Sequence, residues 1–326
     1  MPGPPPAVAE IRYAVRAVLR ECGAGDLVLV ALSGGADSTA LAAATGVEAP
    51  LLGLRAGAII VDHGLHSDSA ELAATAADRA PGLGLDPVEI VQVVVETRGE
   101  GLEAAARAAR YAALDAAADR LGARLVLLGH TLADQAEQVL LGLARGSGLR
   151  SLAGMPAARG RYRRPLLGID RGATRFACEV DNLPWWEDPM NADPAYTRVR
   201  ARKAVADLER DLGPGVMAAL ARSATQLRAD ADLIDTLVEE TLAGLGAGPW
   251  QVAALTAIAR PLRTRLWRRL LLAAGAPAGQ VSSRHTDACD RLLTHWHGQG
   301  PLHLPGDLRV GREGASVWIR AAGPVE

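Results

Sequence analysis

The residues with the plainest chemical use lie in segment 33–38, which reads Ser-Gly-Gly-Ala-Asp-Ser. An apolar run precedes the segment and a helical pattern follows it, so backbone N–H groups and the helix dipole converge on one point and favour an anion there. Gly34 and Gly35 let the backbone approach phosphate oxygens, while Ser33 and Ser38 add hydroxyl donors. These residues predict a phosphate-binding loop.

Asp37 lies inside this predicted anion site. A carboxylate is stable beside phosphate when a cation bridges the two, and Mg²⁺ commonly binds carboxylate and phosphate oxygens together. We therefore predict that Asp37 binds Mg²⁺. The alternative is a structural turn in which Asp37 or Ser38 only caps the helix. A Walker A loop is excluded because no Gly-Lys-Ser/Thr occurs here, and a dinucleotide fingerprint is excluded because GxGxxG is absent.

Asp134 and Glu137 form a second group with chemical potential. They are three residues apart, which on a helix places both carboxylates on one face. Two clustered anions attract a cation, so the pair predicts a site for a positively charged ligand. The alternative is a first helical turn that is enriched in acids because of the helix dipole.

The elements that must position these residues follow from the apolar pattern. Buried strands are predicted by short apolar runs at 27–32, 58–61, 88–95 and 125–128. Helices are predicted between them at 68–80 and 101–121. This alternation is typical of an α/β domain with a doubly wound parallel sheet. Ligands bind such sheets beyond the carboxyl ends of the strands, which here are followed by segments 33–38, 62–66 and 129–137.

A second, mainly helical domain is predicted after the sheet. The strand pattern fades near residue 170, and a charged helix begins near Tyr196. Gly213, Pro214 and Gly215 then break the chain, which predicts a catalytic domain at 1–213 and a second domain at 214–326. The second domain is expected to contain helices at 216–243, 251–259 and 261–274, and a small C-terminal hairpin within 301–320.

The composition places the protein in the cytoplasm. The N-terminus lacks the basic and apolar regions of a secretory signal, and no run reaches the ~18 apolar residues of a membrane span. The three cysteines are isolated, which suits a reducing compartment. We therefore expect a soluble protein without a membrane partner.

Segment 33–38 resembles the SGGxDS signature of the ATP-pyrophosphatase, or PP-loop, superfamily at all five fixed positions. The resemblance implies an adenine-nucleotide alpha-hydrolase-like fold with ATP as the cofactor. It also implies that the loop binds the β and γ phosphates while a substrate oxygen attacks the α phosphate. Such chemistry depends on positioning and charge neutralisation more than on covalent participation by the protein.

Segment 129–155 contains GHTLADQAE, RGSG and LAGM, and is similar to the hallmark of bacterial tRNA(Ile)-lysidine synthases. Further agreement lies at 61–65, 103–111 and 187–202, so the similarity covers roughly residues 25 to 205. The chain departs from the family pattern at Ala133, Gln138, 141–144 and Val199. Ala133 replaces an Asp, whereas Asp134 and Glu137 match.

The resemblance implies a ligase that uses ATP to adenylate C2 of the wobble cytidine in tRNA(Ile) with a CAU anticodon, and then joins L-lysine through its ε-amine. AMP and pyrophosphate are released. Lysine would be bound by the acidic pair, since its ammonium groups suit carboxylates. The predicted catalytic residues are Asp37, Asp134, Glu137 and Arg200. The predicted nucleotide-binding residues are Ser33, Gly34, Gly35, Asp37, Ser38, Asp62, His63, Arg107, Gly129 and His130.

Arg200 is one of three alternating arginines, with Arg198 and Arg202, and only some of them can face the site on a helix. Binding of tRNA to a chain of net charge −2 requires local clusters of arginine. We predict that the helical domain provides one, in which Arg260, Arg263 and Arg268 form a basic stripe. A homodimer is an additional expectation.

Two other functions remain open at this point. One is a different PP-loop enzyme that modifies tRNA, such as a thiolase, although cytosine-directed thiolases use cysteine-ligated iron–sulfur clusters and this chain has no CxxC. The other is a nucleotide-binding module without catalysis, such as an electron-transfer flavoprotein subunit. Asp37 together with the acidic pair favours catalysis over the second alternative.

Overall fold

The computed structural model describes residues 3–64, 68–95, 101–146, 148–188 and 193–322. The chain divides into two compact units, Met1–Arg228 and Ala229–Glu326. This division falls inside a helix that runs from Val216 to Leu245, whereas the break predicted at 213–215 lies between that helix and the one before it. Within the described residues, no helix combines the length and apolar character needed to cross a membrane.

The first unit contains a six-stranded sheet in the order β3-β2-β1-β4-β6-β5, and this confirms the predicted doubly wound α/β fold. Its strands are β1 Leu27–Ala31, β2 Arg55–Asp62, β3 Val88–Gln92, β4 Ala123–Leu127, β5 Ala158–Arg159 and β6 Tyr162–Arg163. All neighbouring pairs are parallel except β5 and β6. The carboxyl ends of β1 and β4 therefore lie side by side.

Nine helices accompany this sheet in the described residues. They are α1 Pro6–Leu19, α2 Ala36–Leu51, α3 Ser69–Arg79, α4 Leu102–Leu121, α5 Leu132–Ala144, α6 Leu149–Leu152, α7 Arg171–Val180, α8 Thr197–Leu212 and α9 Val216–Leu245. Most of them follow an apolar period in the sequence. Helix α7 was not predicted although its sequence is amphipathic, and its buried positions are Thr174, Ala177 and Cys178.

The central strand β1 is apolar on both faces because both are covered by helices. Val28 and Val30 pack into the core beneath α1, α2 and α7, while Leu27 and Leu29 pack on the other side against α4. All four side chains are at most 4% exposed. Burial of such a side chain stabilises the fold by about 1.5–3 kcal/mol. The loop that follows β1 is thus anchored to the best-packed part of the molecule.

The second unit combines helices with a four-stranded antiparallel sheet in the order β7-β10-β9-β8. The elements are β7 Trp250–Gln251, α10 Val252–Ala257, α11 Arg260–Ala273, α12 Ser283–Thr294, β8 Leu302–Leu304, β9 Leu308–Glu313 and β10 Ser316–Ala321. The core between sheet and helices includes Trp267, Leu292 and Val317. The predicted hairpin corresponds to β9 and β10 within this larger sheet.

The predicted basic stripe on α11 is wrong. Arg263 is only 6% exposed and its guanidinium donates to both carboxylate oxygens of Asp290 on α12. Arg268 donates to backbone carbonyls of Ala278 and Val281. Of the three arginines, Arg260 is the exposed one. The prediction failed because α12, whose Asp290 draws Arg263 inward, was not recognised in the sequence.

Candidate active site

The loop between β1 and α2 has a fixed shape. Ser38 Oγ accepts a hydrogen bond from the backbone N–H of Ser33 at 3.1 Å and donates to the carbonyl of Gly35 at 2.9 Å. Gly34 has a φ of +78°, a conformation that favours glycine. The backbone N–H of Trp186 donates to the Gly34 carbonyl at 2.9 Å, which holds the loop from outside. The N-terminus of α2 follows directly, as an anion site requires.

Gly129, at the end of β4, lies against this loop. A Cβ atom at residue 129 would lie 3.1 Å from the backbone nitrogen of Ser38 and 3.2 Å from the carbonyl carbon and oxygen of Asp37. These distances are too short for a side chain without movement of the backbone. The two segments predicted from sequence to share the site are therefore in contact, and a larger residue at position 129 would require the loop to shift by a few tenths of an ångström.

Asp37 points towards α7. Its Oδ1 accepts from the hydroxyl of Thr174, and its Oδ2 accepts from Nε of Arg171 at 3.2 Å. Burial raises the pKa of Asp37, and the nearby charge of Asp134 acts in the same direction. The Thr174 hydrogen bond and the Arg171 charge oppose that rise. The carboxylate is therefore held by α7 as well as by its own loop.

Asp134 lies in the first turn of α5 and is bonded to the same arginine, Arg171. Its Oδ2 accepts from the backbone N–H of Thr131 at 2.8 Å and from the Thr131 hydroxyl at 3.0 Å, which forms a capping box. Its Oδ1 accepts from Nη2 of Arg171 at 3.0 Å. Burial opposes ionisation, but Arg171 and Thr131 hold the pKa of Asp134 below its usual range. Asp134 thus faces Asp37 across one guanidinium.

Glu137 lies one helical turn further along α5. It is 3% exposed, and its Oε1 accepts from Nε of Arg202 on α8 at 2.7 Å. Burial raises the pKa of Glu137, although Arg202 opposes the rise. A cavity of about 180 Å³ opens beside this ion pair. Its lining includes Ala133, Glu137, Asp170, Arg171, Arg202 and Met217. The carboxylates of Glu137 and Asp170 and the guanidinium groups of Arg171 and Arg202 thus line the same cavity.

A cluster of buried nitrogen atoms lies near the carboxyl ends of β2 and β4. Four buried nitrogens have no hydrogen-bond partner among the described residues: Nδ1 of His63, Nε of Arg110, Nδ1 of His130 and Nε of Arg164. Burial and the charge of Arg110 lower the pKa of His63. Burial likewise lowers the pKa of His130, with Asp134 opposing and Arg110 contributing. Unpartnered buried donors beside arginines suit a phosphate group.

Two further predicted nucleotide residues lie around this nitrogen cluster. Asp62 is buried at the end of β2, where its Oδ1 accepts from the backbone N–H of Gly64 at 3.0 Å. The guanidinium of Arg107 lies over the ring of Tyr111, 5.0 Å from its centroid, and donates to the Tyr111 hydroxyl at 3.3 Å. Burial lowers the pKa of Arg107. Neither residue reaches the phosphate loop directly in the described contacts.

Arg200 is not brought to the acidic pair. It donates to the carbonyls of Pro194 at 2.7 Å and Ala195 at 2.8 Å, at the start of its own helix. Arg198 pairs with Glu103 at 2.9 Å, and Arg202 is the member of the trio that contacts Glu137. Sequence spacing had left the choice among these three open.

Several site residues were missed in the sequence. Arg171 and Thr174 lie on α7, a helix that was not predicted, and Arg171 is 134 residues from Asp37 along the chain. One available signal was Asp170, whose side chain caps α7 by accepting from the N–H of Gly172. The motif residues Leu65, His66, Ser147, Pro189 and Asn191 lie outside the described residues.

Asp37 is a carboxylate beside the phosphate loop, and its two oxygens accept from Thr174 and Arg171. The described residues contain no group of three or more His, Cys, Asp or Glu side chains that could hold a metal ion. Mg²⁺ is usually bound by one or two carboxylates together with water and substrate phosphates. Asp37, beside a phosphate loop, supplies a carboxylate of the kind that such a site needs.

Comparisons with known proteins agree with this geometry. A family model described as a PP-loop domain matches residues 9–209. The tRNA(Ile)-lysidine synthase of Thermobifida fusca (strain YX) is 54% identical over 324 residues, which cover 98% of this chain and 100% of that protein. The tRNA(Ile)-lysidine synthase of Streptomyces coelicolor is 51% identical over 350 residues, covering 98% and 99% of the two chains.

A solved structure with a similar fold is the U34-tRNA thiolase NcsA from Methanococcus maripaludis. The superposition has a TM-score of 0.57 at 19% identity and covers 68% of this chain and 79% of that one. At this identity the likeness concerns the fold alone.

Proposed function

Because this chain belongs to the PP-loop family of tRNA(Ile)-lysidine synthases, we propose that its site is divided into a nucleotide half around the phosphate loop and an amino-acid half around the cavity beside Glu137. The enzyme is an ATP-dependent ligase that acts on tRNA(Ile), with the adenine-nucleotide alpha-hydrolase-like fold. A thiolase activity is not favoured.

In the nucleotide half, the loop at 33–38 and the N-terminus of α2 would bind the terminal phosphates of ATP. Gly129 allows the loop to lie against the end of β4. The unpartnered nitrogens of Arg110 and His130 would donate to further phosphate oxygens. Asp37 would hold Mg²⁺, which supplies neutralisation of phosphate charge when bound.

In the amino-acid half, Glu137 and Asp134 would bind lysine ammonium groups, and Arg202 or Arg171 would bind the α-carboxylate. The cavity contains groups of both signs, as a zwitterionic amino acid with a second ammonium group requires. The observation that carries this assignment is the ion pair at its wall between the buried Glu137 and the partly exposed Arg202.

The reaction that the family implies uses both halves of the site. The C2 oxygen of the wobble cytidine attacks the α phosphate of ATP, and pyrophosphate leaves. The ε-amine of lysine then attacks C2, loses its proton, and displaces AMP. The protein contributes by placing the three reactants and by presenting donors to the phosphate oxygens.

The remaining assignments concern partners. We propose that residues 214–326 contribute to binding of the tRNA body, as predicted from the sequence. A homodimer is a further proposal, which sedimentation of the purified chain would test. Cytoplasmic location is also a proposal, supported by the tRNA substrate.

The test uses ATP, radiolabelled lysine and unmodified tRNA(Ile) with a CAU anticodon. We expect label in the RNA together with equal amounts of AMP and pyrophosphate. The matched control is the same tRNA with the wobble cytidine replaced by uridine, which should take up no label. Equal incorporation of label into both RNAs would contradict the proposal.

A further inference from the structure

One side chain connects the two halves of the site. The guanidinium of Arg171 donates through Nε to Asp37 at 3.2 Å and through Nη2 to Asp134 at 3.0 Å. The three side chains are only 23%, 21% and 13% exposed. Asp37 belongs to the nucleotide half and Asp134 to the amino-acid half, so one cation neutralises a carboxylate from each.

The N-terminus of α7 holds Arg171 in place. Arg171 is the first residue of α7, which Asp170 caps. The hydroxyl of Thr174, one turn later, lies within donating distance of both Asp37 and the carbonyl of Arg171. Arg171 also lines the cavity beside Glu137. The helix end thus presents a guanidinium and a hydroxyl to the same carboxylate.

We propose that Arg171 is a positioning residue that takes the place of a divalent cation between Asp37 and Asp134 while no nucleotide is bound, so that the metal ion enters only together with ATP. The proposal rests on the role of Asp37 in binding Mg²⁺ proposed above. Two partly buried carboxylates without a cation between them would repel one another and would bind a divalent cation from solution.

The arrival of ATP provides a new partner for the displaced side chain. A guanidinium binds phosphate oxygens through two parallel hydrogen bonds as well as it binds a carboxylate. Arg171 can therefore exchange its hydrogen bond to Asp37 for one to a phosphate group, while Mg²⁺ binds Asp37. The same exchange leaves the second carboxylate, Asp134, available to an ammonium group of lysine. Metal, nucleotide and amino acid would in this way bind in a linked order.

The experiment measures binding of Mn²⁺, a paramagnetic substitute for Mg²⁺, to the full chain without nucleotide by electron paramagnetic resonance. We expect weak Mn²⁺ binding to wild type and binding tighter by about tenfold or more to Arg171→Met. The reason is that the substitution removes the guanidinium that competes with Mn²⁺ for the same carboxylates. Arg171→Lys keeps a cation and should resemble wild type. Arg175→Met is the matched control on the same helix, because Arg175 is exposed and pairs with Glu187.

A second substitution identifies the site that is gained. Adding Asp37→Asn to Arg171→Met should abolish the new Mn²⁺ binding. Unchanged Mn²⁺ affinity in a folded Arg171→Met protein would overturn the proposal. If Arg171→Met does not fold, the wild-type protein provides the test. Mn²⁺ binding to wild type that is as tight without nucleotide as with ATP would also overturn the proposal.

The proposed role of Asp37 is tested separately by Mn²⁺ binding in the presence of ATP. There, Asp37→Asn alone should weaken Mn²⁺ binding. If it does not, the magnesium assignment fails, whereas the nucleotide-free comparison of wild type with Arg171→Met still reports whether Arg171 occupies a cation site.

Discussion

At the scale of single residues, the ion pair between Glu137 and Arg202 is the most informative contact of the amino-acid half. The Glu137 side chain is 4% exposed and the Arg202 side chain 34%, so the pair is reached by solvent from the arginine side. A ligand in the adjoining cavity can therefore compete for either partner. Arg200, two residues away, is bonded to carbonyls at the start of its own helix.

This difference predicts which arginine supports lysine binding. Arg202→Met should raise the apparent KM for lysine by about 10 to 150-fold, because loss of a charged hydrogen bond costs about 1.5–3 kcal/mol. Arg200→Met should have the smaller effect. Steady-state kinetics with lysine as the varied substrate measure both. A larger loss in Arg200→Met would restore the role that the sequence suggested for Arg200.

Gly129 gives a second prediction at this scale. Gly129→Ala places a Cβ within 3.2 Å of the backbone at Asp37 and Ser38, and overpacking of this kind costs about 1–3 kcal/mol. We expect a lower Tm and weaker ATP binding in calorimetric titration. Gly168→Ala is the control, since a Cβ there meets no atom within 4 Å. Unaltered ATP affinity in Gly129→Ala would mean that the loop adjusts freely.

At the scale of elements, α1 and α2 are joined by a buried carboxylate that the active site does not use. Glu48 on α2 is fully buried and accepts from Arg12 at 2.6 Å and Arg16 at 2.6 Å, both on α1. These hydrogen bonds hold the pKa of Glu48 below its ordinary value of 4.5. A pKa that is lower in the folded chain stabilises the fold above pH 4.5, and this contribution is lost as the pH falls through the folded value.

We therefore expect Glu48→Gln to lower the free energy of unfolding at pH 7 by about 1 kcal/mol, allowing for the solvent exposure of both arginines. The difference from wild type should shrink as the pH falls below 4.5. Urea unfolding at pH 7, 5 and 3.5 measures this, with the exposed Glu10→Gln on α1 as the control. A difference that is independent of pH would show that packing, not charge, is what the substitution removes.

The elements that the sequence predicted are those with a local signal. The strands β1, β2 and β4 were recognised because they are short apolar runs, and the phosphate loop and acidic pair because their residues are contiguous. Helices α7 and α12 were missed although both are amphipathic, because each is short and rich in polar residues, with Thr174, Thr286 and Asp290 among the buried positions. The contacts of Arg171 and Arg263 depend on those helices and could not be read from the chain.

At the scale of the whole molecule, a chain of net charge −2 must bind a polyanion through local groups of arginine. Arg263 is buried in an ion pair with Asp290 and cannot contact a phosphate of the tRNA. Arg260 and Arg269 on the same helix have side chains that are 69% and 43% exposed. We expect Arg260→Met with Arg269→Met to flatten the salt dependence of tRNA binding by about 0.7–0.9 in slope for each phosphate that the variant no longer neutralises. Filter binding over a salt series measures it, and an unchanged slope would place the tRNA-binding site on another surface.

The division of the site into two halves is tested most directly by measuring pyrophosphate release and lysine incorporation in the same reaction. With tRNA(Ile), ATP and lysine present, Asp37→Ala should lose both activities, because adenylation comes first. In a single turnover with enzyme in excess over tRNA, Glu137→Gln should release pyrophosphate within about tenfold of the wild-type rate, while its rate of incorporation of subsaturating lysine falls by about 10 to 150-fold. Pyrophosphate release by Asp37→Ala near the wild-type rate, or an equal loss of both activities in Glu137→Gln, would contradict the account.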